Sequence, residues 1–119
     1  MSAYALEHLA NYHYKVGENP LWDDRTGEVY WTDIPAGRLF RYNPATGEHR
    51  PFYQGRPVGG FTLQTDGSLL LFGDNRITRL GADGRERVVA EDVDGGMARF
   101  NDVIAAPGGR VFAGTTAGD

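Results

Sequence analysis

Residues 61–72, FTLQTDGSLLLF, run from an apolar stretch through a tight Thr65-Asp66-Gly67 turn into a second apolar stretch. Gly takes positive φ freely and Asp hydrogen-bonds its own turn, so two strands joined this closely form a hairpin. The same order recurs at 20–31, PLWDDRTGEVYW, and at 102–113, DVIAAPGGRVFA. The turn glycines Gly27, Gly67 and Gly109 stand 40 and 42 residues apart. After each of the first two copies comes a second hairpin, GRLFRYNPATGEHRPFY at 37–53 and NRITRLGADGRERVVA at 75–90. A four-strand unit recurring at about 40 to 45 residues has the period of a β-propeller blade. A β-sandwich also places strands about every 8 to 12 residues, but nothing in it imposes this longer repeat. The expected fold is therefore all-β, built of four-stranded antiparallel meanders.

Alternation of apolar and polar residues predicts strands over 28–32, 38–42, 68–72, 76–80, 85–89 and 110–113, and the apolar run at 103–106 reads as a buried strand. A helical period shows only weakly, over 2–11. With 40% hydrophobic residues in 119, the chain has material for a core and is not disordered. Its net charge of -4, with Lys and Arg scattered singly, leaves no basic patch for nucleic acid or an anionic membrane surface. The absence of cysteine excludes a disulfide framework and a thiolate metal site. No apolar run has the length of a membrane span or signal peptide, which points to the cytoplasm.

The repeat divides the chain into a first blade at 17–54, a second at 56–93 and the first hairpin of a third at 97–119. Propellers close with about 4 to 8 blades, and each blade needs neighbours to bury its faces. Two expectations follow. Either the chain is the N-terminal part of a longer propeller, or several copies assemble into a ring.

The stretches VGENPLWDDRTGEVYWTDIPAGRLFRYNPATGE (16–48) and RFNDVIAAPGGRVFAGT (99–115) resemble the N-terminal part of the senescence marker protein, gluconolactonase and luciferin-regenerating enzyme (regucalcin-like) family. The likeness lies in a Gly-Glu-x-Pro-x-Trp opening, a Tyr-Trp-x-Asp-Ile strand end, and an Arg-x-Asn-Asp run followed by Pro-x-Gly-Arg and Gly-Thr. It implies a six-bladed propeller with a divalent metal in its central channel and an activity that hydrolyses lactones. It assigns Glu18 as a metal ligand and Arg99 and Asn101 as substrate-binding residues. The remaining ligands and the general base belong to later blades, outside this chain. Calcium or zinc is the expected metal, with manganese and magnesium as further options, and the substrate is a small lactone or sugar acid. The isolated chain is expected to have little or no activity. The sequence departs from the family pattern at Val103, Ile104 and Ala106, where Gly-Lys and a later Asp are common.

Read without the resemblance, the same residues carry blander roles. Glu18 sits in a solvated Gly-Glu-Asn-Pro turn, Arg99 is a surface arginine, and Asn101 with Asp102 closes an Asx-turn before a strand. The resemblance moves Glu18, Arg99 and Asn101 to the functional reading and leaves Asp102 structural. Asp33 and Asp74 read as turn-formers at corresponding strand ends. His8, His13 and His49 form no metal-ligand motif, and Trp22 and Trp31 read as core between blades. The competing function is a non-catalytic blade module that oligomerises through its open faces.

Overall fold

The computed structural model describes residues 3–96 and 99–117. Strands β1 (Gly17–Asp23), β2 (Glu28–Asp33), β3 (Arg38–Tyr42) and β4 (His49–Gln54) pair in chain order as one antiparallel sheet. Strands β5 (Gly60–Leu63), β6 (Leu69–Phe72), β7 (Arg76–Leu80) and β8 (Glu86–Glu91) form a second sheet of the same order. A hairpin of β9 (Arg99–Ala105) and β10 (Val111–Thr116) follows. These are two propeller blades and the opening hairpin of a third. Met97, Ala98, Gly118 and Asp119, which the repeat assigns to the third unit, lie outside the described residues. The weak helical period at the N-terminus produces no helix across 3–14, and among the described residues none is long and apolar enough to cross a membrane.

The repeat extends to irregularities that the sequence pattern does not show. In the first blade Phe52 is an extra residue between the pairs Leu39↔Tyr53 and Phe40↔Pro51. In the second, Val89 is extra between Ile77↔Ala90 and Thr78↔Val88. Each bulge bends the outermost strand and increases its twist, as a blade requires.

The core lies between the two sheets. Tyr30 and Leu39 of the first meet Phe61, Leu69, Leu71 and Leu80 of the second, with Val58 of the connecting loop beside them. Phe100 of β9 seats its ring edge-on against Phe72 of β6, centroids 5.4 Å apart. Polar ties run alongside this apolar contact. Arg25, in the β1–β2 turn, donates from Nη1 to the Thr65 carbonyl at 2.6 Å and from Nη2 to the Gln64 carbonyl at 2.8 Å, joining corresponding turns of adjacent blades.

The tryptophans are not where the sequence places them. Trp22 is 54% exposed, and Trp31 is only half-buried. Trp31 pairs across the ladder with Phe40 and stacks on its ring, while its neighbours Tyr30 and Thr32 take the opposite face toward the second blade. The outer face of the first sheet is covered by the N-terminal segment, whose Tyr12 and Tyr14 rings lie 4.6 and 5.5 Å from that of Phe40. The period-2 alternation that made Tyr30 core thereby excludes Trp31 from the same side.

One turn carries a pH-dependent share of stability. Ser68 donates its hydroxyl to Asp66 Oδ1 at 2.5 Å and its backbone N–H to the same oxygen at 2.9 Å, while Arg79 Nη2 reaches Oδ2 at 2.6 Å. In that order these donors hold the Asp66 carboxyl well below the usual carboxylate range. A carboxylate depressed on folding stabilises the chain above its unfolded pKa of about 4 and loses that effect as pH falls toward the folded value. The destabilisation caused by Asp66→Asn should therefore shrink from about pH 5 to about pH 2 in urea titrations. An equal loss at every pH would contradict this account.

Candidate functional site

The first strands of the three units lie side by side, with β5 between β1 and β9. Gly60 opens β5 and is approached by both flanking strands. A Cβ built on it would lie 3.3 Å from Asn19 Oδ1 of β1, and 3.2 Å from the Val103 nitrogen and 2.7 Å from Val103 Cγ2 of β9. Gly59 is tighter still, with β9 running so close that a Cβ would collide with the Phe100 carbonyl. Two adjacent residues without side chains thus form the seat on which β1 and β9 converge. The three residues singled out from the sequence sit on those two flanking strands.

Glu18 is the second residue of β1 and is exposed. Its carboxylate has no hydrogen bond or ion pair among the described residues. Its cross-strand partner is Thr32, whose hydroxyl donates to the Val58 carbonyl at 3.2 Å, so this register position lies on the face turned toward the second blade. Asn19 follows with φ of 59° at a bulge, and its Nδ2 makes a long 3.5 Å contact with the Phe61 carbonyl.

Arg99 and Asn101 are half-buried and share one face of β9, two residues apart. Arg99 Nη1 donates to Asn101 Oδ1 at 3.2 Å and to the Phe100 carbonyl at 3.0 Å. Among the described residues, that leaves Nε, Nη2 and the Asn101 amide nitrogen free to donate elsewhere. Among the described residues nothing bonds Glu18 to Arg99 or Asn101, which lie on either side of β5.

The turn-forming aspartates do more than close turns. Asp33 is 1% exposed, and its Oδ1 accepts the backbone N–H groups of Lys15 at 3.1 Å and Val16 at 2.9 Å. Arg38 Nη2 lies 3.6 Å from the other oxygen, so this carboxylate anchors the incoming chain to the first blade. Asp74 Oδ2 accepts both Nε and Nη2 of Arg56. Asp33 thus serves the fold, whereas Asp74 ties Arg56 through Oδ2 alone and keeps a buried Oδ1 without a hydrogen-bond partner among the described residues. The three histidines are exposed, and His49 Nδ1 meets the Tyr12 hydroxyl at 2.7 Å.

Among the described residues no three His, Asp or Glu side chains are grouped to hold a metal. The free Glu18 carboxylate has the hard-oxygen chemistry of a divalent-cation ligand but fills one position, where calcium takes about 6 to 8 oxygens. These residues fit one corner of a coordination sphere and not the whole of it.

Sequence reasoning overlooked Asn19, the Gly59–Gly60 seat and the backbone of Asp102, whose φ is 57°. The adjacent glycines opening the second repeat, where the first and third carry larger residues, were the available signal.

Comparison with known proteins places this geometry. The family model described as "SMP-30/Gluconolactonase/LRE-like region" matches residues 16–119. Pentonolactonase XacC of Haloferax volcanii is 47% identical over 106 residues, covering 88% of this chain and 36% of that protein. A 6-deoxy-6-sulfogluconolactonase of Pseudomonas putida is 35% identical over 102 residues, 84% of this chain and 35% of the relative. Among solved structures, the calcium-binding protein regucalcin of Agrobacterium tumefaciens superposes with a TM-score of 0.79 at 24% identity, over 90% of this chain and 37% of that one. The chain thus spans a little over a third of the length of these proteins.

Proposed function

The chain belongs to the SMP-30/gluconolactonase/LRE-like family, and from that membership we propose that it supplies part of the metal and substrate site of a lactone hydrolase. The observation that carries this reading is the Arg99–Asn101 pair, hydrogen-bonded at 3.2 Å with Nε, Nη2 and the Asn101 amide nitrogen unengaged among the described residues, in a chain 47% identical over 106 residues to a pentonolactonase. Arg99 presents a fixed positive charge and a planar set of N–H groups, and Asn101 an amide N–H₂. Together they bind and orient the oxygens of a lactone or sugar acid. Glu18 contributes one carboxylate oxygen to a divalent cation, calcium or zinc before manganese or magnesium. Such an ion, when bound, supplies Lewis-acid polarisation of an ester carbonyl. The general base comes from blades beyond these residues.

The test is lactone hydrolysis by the natural full-length protein, followed by proton release with gluconolactone or a pentonolactone, with and without a chelator. Arg99→Ala is expected to raise KM by about 10- to 100-fold, the loss of one or two charge-assisted hydrogen bonds. Glu18→Gln should weaken metal binding at least as much as the about 10- to 100-fold typical of outer-shell changes. Metal-independent turnover, unchanged in both variants, would refute the reading. The residues present here, expressed alone, should stay near the spontaneous rate, because the base contributes about 10²- to 10⁴-fold.

A second reading, a non-catalytic module that assembles with copies of itself, is favoured by one observation. Ile104 is 69% exposed and Phe112 60% exposed on the third hairpin. A monomeric mass in solution together with turnover by the full-length protein would eliminate it.

A further inference from the structure

Asp102 follows the Arg99–Asn101 pair, and its left-handed φ of 57° coincides with a break in the β9–β10 ladder. Asn101 pairs with Gly114 and Val103 with Ala113, which leaves Asp102 as an extra residue without a partner. The consequence is one of parity. Phe100 packs its ring on Phe72, and Val103 directs Cγ2 at Gly60, so both face the second blade although they stand three residues apart. In a regular strand two such residues face opposite ways. The extra residue resolves the conflict, allowing Phe100 and Val103 to share a face while Arg99 and Asn101 stay together on the other. Without it, docking Val103 on Gly60 would turn Arg99 and Asn101 toward the second blade and expel Phe100. The Asp102 side chain itself is exposed and makes no hydrogen bond or ion pair among the described residues.

We propose that Asp102 is a positioning residue, acting through its left-handed backbone and not its carboxylate, that sets the side of β9 on which Arg99 and Asn101 meet substrate. The substrate part of this inference rests on the function proposed above. Gly adopts left-handed φ without penalty, Asn and Asp tolerate it, and a β-branched residue resists it. The residue type that decides the site's geometry is therefore set by φ, and charge is irrelevant to it.

The test compares Asp102→Gly, Asp102→Asn and Asp102→Val in the natural full-length protein. It reads kcat and KM for a lactone and, by NMR, the through-space contact between the Val103 methyls and the Gly60 α-protons. Asp102→Gly and Asp102→Asn should keep kcat/KM within about threefold and retain the contact. Asp102→Val should raise KM by about tenfold or more, change kcat less, and weaken the contact. Where Asp102→Val does not fold, Asp102→Ala takes its place with the same direction of change. Loss of turnover in Asp102→Asn or Asp102→Gly with the contact intact would give the carboxylate a direct role and overturn the proposal. Unchanged KM and contact in the valine or alanine variant would overturn it equally. Absence of lactone turnover in the unsubstituted protein would instead sink the proposed function, and the NMR contact across the variants would still decide whether Asp102 sets the strand.

Discussion

Gly59→Ala is expected to destabilise the protein by about 3 kcal/mol or more, at the upper end of overpacking effects. The added methyl would collide with the Phe100 carbonyl and lie 2.6 Å from its carbon. Neither side can yield cheaply, because both backbones are tied to the second blade. Gly59 donates its N–H to the Phe72 carbonyl at 2.8 Å, and Phe100 donates to the Gly73 carbonyl at 2.8 Å. Relief requires β9 to move away from β5, and that movement carries Arg99 and Asn101 with it. Urea unfolding should show the lower midpoint. Gly95→Ala is the control, since a methyl there meets nothing within 4 Å and φ lies outside the left-handed region. A Gly59→Ala midpoint matching the control would mean that the seat is looser than described.

Phe40→Ala should cost about 3 to 5 kcal/mol, as truncation of a fully buried aromatic does. Phe40 is 0% exposed because several groups converge on it. Trp31 stacks on one side with centroids 5.5 Å apart and planes at 12°, the tyrosines of the N-terminal segment close around it, and the Arg38 guanidinium sits 4.9 Å from the ring centroid. Removing the ring opens a cavity and releases the segment that covers it. The Trp31 indole, whose Nε1 donates to the Tyr14 hydroxyl at 3.1 Å, would then meet water. Tryptophan emission should shift to the red in the folded variant, while Trp22, already exposed, contributes little to the change. A lower unfolding midpoint without the spectral shift would show that the segment is held by something other than Phe40.

Glycine spacing carried the fold in the sequence because hairpin turns demand left-handed residues at fixed intervals. Gly27, Gly67 and Gly109 all have φ between 72° and 88°. Strands 38–42 and 76–80 were legible to the residue, since each short run is bounded on both sides by turn residues, Gly37 and Asn43 for β3 and Asn75 and Gly81 for β7. Alternation failed where a strand holds an extra residue. A bulge shifts every later side chain to the other face and leaves no compositional mark, so the orientation of β9 beyond Asn101 could not be read. The tryptophans show a related blind spot: size and apolarity said core, but the face each occupies is set by its neighbours. Glu18, Arg99 and Asn101 came from the order of short motifs. Spacing alone did not show that their strands flank β5, because the approach of β1 and β9 to it is a tertiary contact between residues about 40 positions apart.

The outer edge of β10 has a consequence for biosynthesis. Its residues, Val111–Thr116, contain no charge and no proline, and Phe112 is exposed. The outermost strands of the complete blades are guarded differently: β4 carries His49, Arg50 and Pro51, β8 carries Glu86, Arg87 and Glu91, and each contains a bulge. Those devices discourage a strand edge from recruiting another chain. During synthesis on the ribosome, N-terminal segments fold first, and β10 presents an unguarded ladder for as long as no further strand pairs with it. Slow elongation after this hairpin would prolong the interval in which that edge is open to other chains.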